Sequence, residues 1–324
     1  MPALYPLTFQ PIFKERVWGG RSLERLHGKR LPIGAPIGES WEISDRPGDV
    51  SVVAHGPLAG KDLHWLVENH RADLLGNARL EGGRFPLLIK LLDAQEKLSL
   101  QVHPPAARAA ELHGDPKTEM WFIAEAAPGA ELYVGLKPGV TRDDFERRIR
   151  DGTVAECFHQ VPVRAGDAMF LPSGRVHAIG AGLVIFEIQQ NSDTTYRVFD
   201  WNRVGLDGQP RDLHVAQSLA SIDFNDFEPA LAGSEETSGV NCHIRKLVSH
   251  PLFNVELIRA QSAGGIPLPA SRMQIIGIVA GEVQVSGSST PVLRAGDFCL
   301  LPACLPEIEL LASPNAQFLR TDAK

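Results

Sequence analysis

The sequence predicts a mainly β protein of two successive barrel or jelly-roll modules, with a few helices packed on the first. Three observations support that architecture. Apolar runs rich in Val, Ile, Leu and Phe recur at short intervals, FPLLIKLLDA, EMWFIAEA, ELYVGL and LVIFEIQQNS among them, each bounded by turn residues. The 24 prolines and 30 glycines interrupt the chain too often for long helices. One stretch also occurs twice: AGDAMFLPSGRVH at 165–177 is echoed by AGDFCLLPACLPE at 295–307.

Composition bounds the function. With 324 residues, 44% of them hydrophobic, the chain has ample material for a core, in two domains or one large one. The net charge of −7 comes with no basic block, which argues against nucleic acid, so an anionic ligand must be met by local cations. The opening MPALYPLTFQPIF is not a signal peptide, and no apolar run approaches the roughly 18 residues of a membrane span. Cys157, Cys242, Cys299 and Cys304 form no CxxC pair and read as free thiols in a reducing compartment. A cytoplasmic monomer or homodimer without membrane or nucleic-acid partners is expected.

Along the chain, helices are expected at 61–76, at 141–158 with Thr141 as N-cap, and at 214–222. Between the first two, LSLQVHPP (98–105) alternates like a strand. Ser99, Gln101 and His103 would share one face, with Leu98, Leu100 and Val102 on the other. ALAGSEETSG is small, polar and acidic, so the expected division is 1–229, a linker at 230–240, and 241–324. The last part is again a series of strands: LFNVELIRA, MQIIGIVAGEVQV, DFCLLPA and IELLAS.

The echoed stretch reads as a tight Gly–Asp turn, a short strand and a proline that ends it. Its first copy completes GDxxxxPxGxxH, the second motif of the cupin barrels, and delivers His177. The second copy has Cys304 in the glycine position and Glu307 in place of the histidine, so no metal is expected there. Gln101, His103, Glu119 and His177 would together offer mixed nitrogen and oxygen ligands, a set that suits zinc and that iron or manganese would tolerate. Alone, His103 before Pro–Pro reads as a strand-end residue and Glu119 as a surface carboxylate. Their order in one barrel is what joins them. The other histidines have no such context and read as surface or core residues.

FPLLIKLLDAQEKLSLQVHPP, KTEMWF, FLPSGRVHAIG and EIQQNSDTTYRVFDWNR, in that order, resemble the short form of the type I mannose-6-phosphate isomerases. KERVWGGRSL and IGESWEIS resemble the opening of that family. The resemblance implies one zinc ion on His103, Glu119 and His177, with Gln101 a further ligand or a neighbour of the site. It implies Arg197 as the catalytic arginine, Ser99, Lys90 and Lys117 in the substrate site, and Glu187 as another site carboxylate. The expected reaction interconverts mannose 6-phosphate and fructose 6-phosphate through a cis-enediol, with Lys117 or Glu187 as base and Arg197 or a lysine on the phosphate. Two alternatives stand beside it: a metal-dependent cupin dioxygenase, and a non-catalytic sugar-binding double cupin. The C-terminal module is expected to bury apolar surface, with Cys299 and Cys304 as packing groups.

Overall fold

A computed structural model describes residues 2–233 and 235–324. The fold is mainly β, as expected. A first sheet orders its strands Ile12–Gly20, Ile37–Ile43, Leu87–Ala94, Leu183–Gln190, Glu119–Ala126 and Ala168–Leu171. A second sheet orders Tyr196–Phe199, Leu100–Val102, His177–Ile179, Glu131–Leu136 and Phe158–Pro162. The C-terminal part adds a third sheet, from Glu235–Gly239 through Cys242–Ser249, Phe253–Ala260, Gln317–Ala323 and Gln274–Ala280 to Phe298–Leu301. A fourth holds Gly264–Leu268, Ile308–Ala312, Glu282–Val285 and Leu293–Arg294. In the first and third sheets alike, the last long strand is inserted in the middle and the strand after the Gly–Asp turn lies at one edge.

Two-residue alternation explains how the layers stack. On the first sheet Leu92, Trp121, Ile123 and Ile185 face Leu132, Val134 and Ile179 of the second, forming one core. Ile89, Leu91, Phe122 and Phe186 point the other way, against Val255, Leu257, Ile275, Phe298 and Leu319 of the third. The third and fourth sheets enclose a separate core of Ile276, Ile278, Val283, Leu310 and Phe318. The far face of the second sheet is covered by Phe145 and Leu219 from two helices.

The three helices expected from the sequence are all shorter than its pattern suggests. The first is Leu63–Leu75, and its dihedrals break at His70. The second, Arg142–Asp151, starts where Thr141 Oγ1 accepts the Asp144 N–H at 3.2 Å, and it ends on left-handed Gly152. The rest of that predicted stretch is a 3-10 turn, Val154–Cys157. The third is Val215–Ser221, and the pattern missed Ser22–His27 and Ala106–Ala109, both too short to show a helical period. The acidic segment read as a linker contains the edge strand Glu235–Gly239, paired with Cys242–Ser249; Ser234 lies outside the described residues. Cys304 is exposed rather than a packing group, because its strand has ended at Leu301, whereas Cys299 is buried.

The echoed motif is the same object twice. Gly166 (φ 91°) and Gly296 (φ 87°) both adopt backbone that favours glycine. Asp167 accepts the Arg164 N–H at 2.9 Å, and Asp297 accepts that of Arg294 at 2.8 Å. The strand after the second copy carries Phe298, whose ring lies 5.5 Å from that of Phe186 across the first–third sheet junction. Phe298 is 7% exposed. Phe298→Ala is therefore expected to cost about 3 kcal/mol in urea unfolding. A loss under about 1 kcal/mol would mean that the junction does not depend on this ring pair.

Candidate metal centre and active-site cleft

The site lies where the space between the first and second sheets is not filled by apolar side chains. His103 follows the strand Leu100–Val102, Glu119 opens Glu119–Ala126, and His177 opens His177–Ile179. Their ligand atoms all lie within 4.8 Å of one another, and all three residues are buried. Glu119 Oε1 is 3.2 Å from His177 Nε2 and 3.6 Å from His103 Nε2. The Nδ1–H groups of the two rings point outward, to the carbonyls of Thr194 (2.8 Å) and Arg175 (2.9 Å). This fixes the tautomers and turns both Nε2 lone pairs inward, the usual support of a metal-binding histidine. His103 Nε2 and both Glu119 oxygens are buried without a hydrogen-bond partner. Such a donor set fits a divalent cation.

Electrostatics favour the same state. Burial, then the charge of Lys117, pushes the His103 pKa down to about 4, and burial lowers that of His177, so both rings are neutral and free to ligate. Burial opposes the charge on Glu119, yet Lys117 and the two histidines hold it well below the carboxylate range. Lys117 Nζ stands 3.0 Å from Glu119 Oε2. Burial works against its ammonium too, but Glu119 and then Glu187 raise its pKa, so this lysine stays protonated.

Around the cluster opens a cleft of about 560 Å³. Gln101 lines it, its amide N–H directed at His177 Nε2 (3.2 Å), with Ser99 Oγ 3.4 Å from its oxygen. Ser99, Gln101 and His103 share a face as expected, while Leu100 and Val102 enter the core behind the sheet. Leu98 does not join them: it precedes the strand and lines the cleft. On the facing sheet Lys90 lies 3.2 Å from Glu187 and 3.9 Å from Glu39. Trp121 donates its indole N–H to Glu187 at 2.8 Å and sets its ring edge-on to His177, 5.3 Å between centroids. Arg197 enters from Tyr196–Phe199, register partner of Gln101. All nine residues singled out in the sequence thus border the cluster or its cleft.

Comparison with known proteins decides the family. Residues 7–121 match the family model "Phosphomannose isomerase type I, catalytic domain". The chain is 36% identical to the mannose-6-phosphate isomerase of Streptococcus mutans, over 95% of this chain and 98% of that one. It superposes on the crystal structure of the Bacillus subtilis mannose 6-phosphate isomerase with a TM-score of 0.89, at 30% identity over 98% and 99% of the two chains. The chain belongs to the type I mannose-6-phosphate isomerases. A zinc-bound mannose 6-phosphate isomerase, only 17% identical, shares the fold at a TM-score of 0.78 over 99% and 100% of the chains.

Several cleft residues of this family member escaped the sequence reading. Glu39 accepts from Trp41 Nε1 (2.6 Å) and Arg16 Nε (2.8 Å). Burial resists its charge, but Lys90 and Arg16 bring its pKa down to about 2. The signal was a charged residue inside the strand-like IGESWEIS. Trp121 could have been found by parity, two residues beyond Glu119 on one strand. Arg16, Asp193, Thr195 and Arg211, which also line the cleft, carried no local pattern.

A histidine with a lowered pKa stabilises the fold above its unfolded value, near 6.5, and that contribution is lost as pH falls to its folded value. The metal-free protein should therefore lose stability between pH 6.5 and about 4, on the order of 3 kcal/mol from His103 alone. Urea titrations at several pH values should show a shallower loss in His103→Asn. Identical slopes for the two proteins would contradict the burial argument.

Proposed function

We propose that the chain interconverts mannose 6-phosphate and fructose 6-phosphate, moving a proton between C1 and C2 through a cis-enediol. The observation that carries this reading is the buried His103–Glu119–His177 cluster beside a cleft lined by Gln101, Lys117 and Glu187, in a chain of this family. The metal proposed is zinc, on these three residues with Gln101 beside them. When bound, it supplies Lewis-acid polarisation of the sugar's carbonyl and hydroxyl oxygens.

Glu187 is the base in this reading. It projects from the middle of a strand, oriented by the Trp121 indole and by Lys90. Lys117 is a poor base because Glu119 and Glu187 keep it protonated; it serves as a fixed positive charge beside the developing enediolate. Arg197 meets the anionic substrate with a guanidinium whose Nε is buried and unpartnered. Ser99 and Lys90 line the substrate's path.

The two pairs of sheets are read as two cupin-type jelly rolls. The first, within residues 1–229, is catalytic, and the second, 241–324, is structural. The matching strand order and the duplicated Gly–Asp turn support this division. Among the described residues no helix is long and apolar enough to cross a membrane, and the reading places the enzyme in the cytoplasm, where its four cysteines stay reduced.

A coupled assay for fructose 6-phosphate tests the reaction. Activity should vanish on chelation and return with zinc. Glu187→Gln should retain zinc but lose about 10²–10⁴ in kcat. Zinc-loaded protein without turnover of either hexose phosphate would sink the isomerase reading, and oxygen consumption would favour a dioxygenase instead.

A further inference from the structure

His177, Gln101 and Arg197 are register partners on three adjacent strands of the second sheet. Arg197 thus stands two strand spacings from His177, roughly 10 Å, the scale of an open-chain six-carbon sugar with a phosphate at its far end. Past Arg197 the chain gathers further guanidinium groups around one carboxylate. Buried Asp200 accepts from Arg203 Nη2 (2.8 Å) and Nε (3.1 Å), and from Arg211 Nη2 (2.6 Å) and Nε (2.7 Å).

The three arginines are not equivalent. Arg203 directs its remaining nitrogen to the Lys97 carbonyl, so its whole fork is committed to the fold. Arg211 lines the cleft, and among the described residues no protein group accepts from its Nη1. Arg197 donates Nη1 to the Asp212 carbonyl at 3.0 Å and keeps its Nε buried without a partner. Arg197 and Arg211 also line together the shallow recess that continues the cleft. Asp207 and Asp212 are nearby but exposed, and among the described residues neither forms an ion pair with these arginines. One buried carboxylate therefore faces three guanidinium groups. The lysines of the cleft differ, since Lys90 and Lys117 are already paired with Glu187 and Glu119.

We propose that Arg211, held rigid by Asp200, is the residue that anchors the substrate's phosphate together with Arg197, and that this fork selects phosphorylated over free hexoses. The inference rests on the isomerase reading and adds the location of the phosphate end. A guanidinium clamped along one edge presents the other for charge-assisted bonds to a phosphate with little entropy left to lose.

The test compares wild type, Arg211→Lys and Arg211→Ala, all zinc-loaded. Arg211→Ala should raise KM for mannose 6-phosphate by about ten- to a hundredfold while kcat changes less than about threefold. Competitive inhibition by inorganic phosphate should weaken in parallel. Arg211→Lys, which keeps the charge and loses the fork, should fall between. If Arg211→Ala does not fold, Arg211→Lys decides by the same two readouts. Wild-type KM and wild-type phosphate inhibition in a folded variant would overturn the assignment. Calorimetric titration with inorganic phosphate separates the two readings: a wild type that binds phosphate through Arg211 yet does not isomerise would sink the isomerase reading and leave the anion site standing.

Discussion

A carboxylate stripped of water is the constraint from which the rest of the site follows. Glu119 is fully buried on the inner face of a sheet, and neither oxygen has a hydrogen bond. An isolated charge there would be strongly unfavourable. Lys117 compensates one oxygen, and the other faces two imidazoles that burial keeps neutral. Lys117 balances the charge from one side, and a cation among the three side chains would supply the partner that the oxygen facing the rings lacks. The backbone supports this outcome, because the carbonyls of Thr194 and Arg175 take the outer N–H of each ring and turn the inner lone pairs toward Glu119.

The same first sheet carries the site on one face and an apolar junction with the third sheet on the other. Lys90 and Glu187 are direct register partners, with Trp121 opposite Glu187 on the next strand. Neighbouring side chains on those strands, Ile89, Leu91, Phe122 and Phe186, are locked against the third sheet. Precise placement of the ionic row therefore depends on a packed layer behind it, which the C-terminal sheets supply. Those sheets can serve as backing because their own interior is closed. Where the first pair holds histidines and a glutamate, the second holds Ile276, Ile278, Val283 and Leu310. Glu307, in the place of His177, lies just before its strand and carries no ligand partner among the described residues.

Much of this was legible because strands announce their faces. Period-two alternation placed Ser99, Gln101 and His103 together before any coordinates, and the motif ending in His177 carried its own turn, strand and stop. The mainly β class followed from the same runs. What stayed hidden was tertiary. Leu98 was misjudged because a strand's end cannot be read to one residue, and Cys304 because a turn can follow a proline in any direction. Arg211 could not be singled out, since its place in the cleft is set by Asp200, eleven positions earlier. Glu39 lies far from His103, Glu119 and His177 in sequence and meets Lys90 only through strand pairing.

The cation beside Glu187 is a lysine, and those gathered beyond Arg197 are arginines, for a physical reason. A lysine ammonium is compact enough to sit between two carboxylates on a pleated surface, as Lys90 does between Glu187 and Glu39. An anion drawn to Lys90 would compete with Glu187 for that ammonium and be repelled by both carboxylates. Arginine separates the tasks, because a planar fork can bind a protein carboxylate along one edge and an anion along another. The stretch beyond Tyr196–Phe199, where guanidinium groups outnumber buried carboxylates, can therefore hold an anion without disturbing the ion pairs around Glu187. The Lys90–Glu187–Glu39 end remains electrically compensated whether or not the cleft is filled.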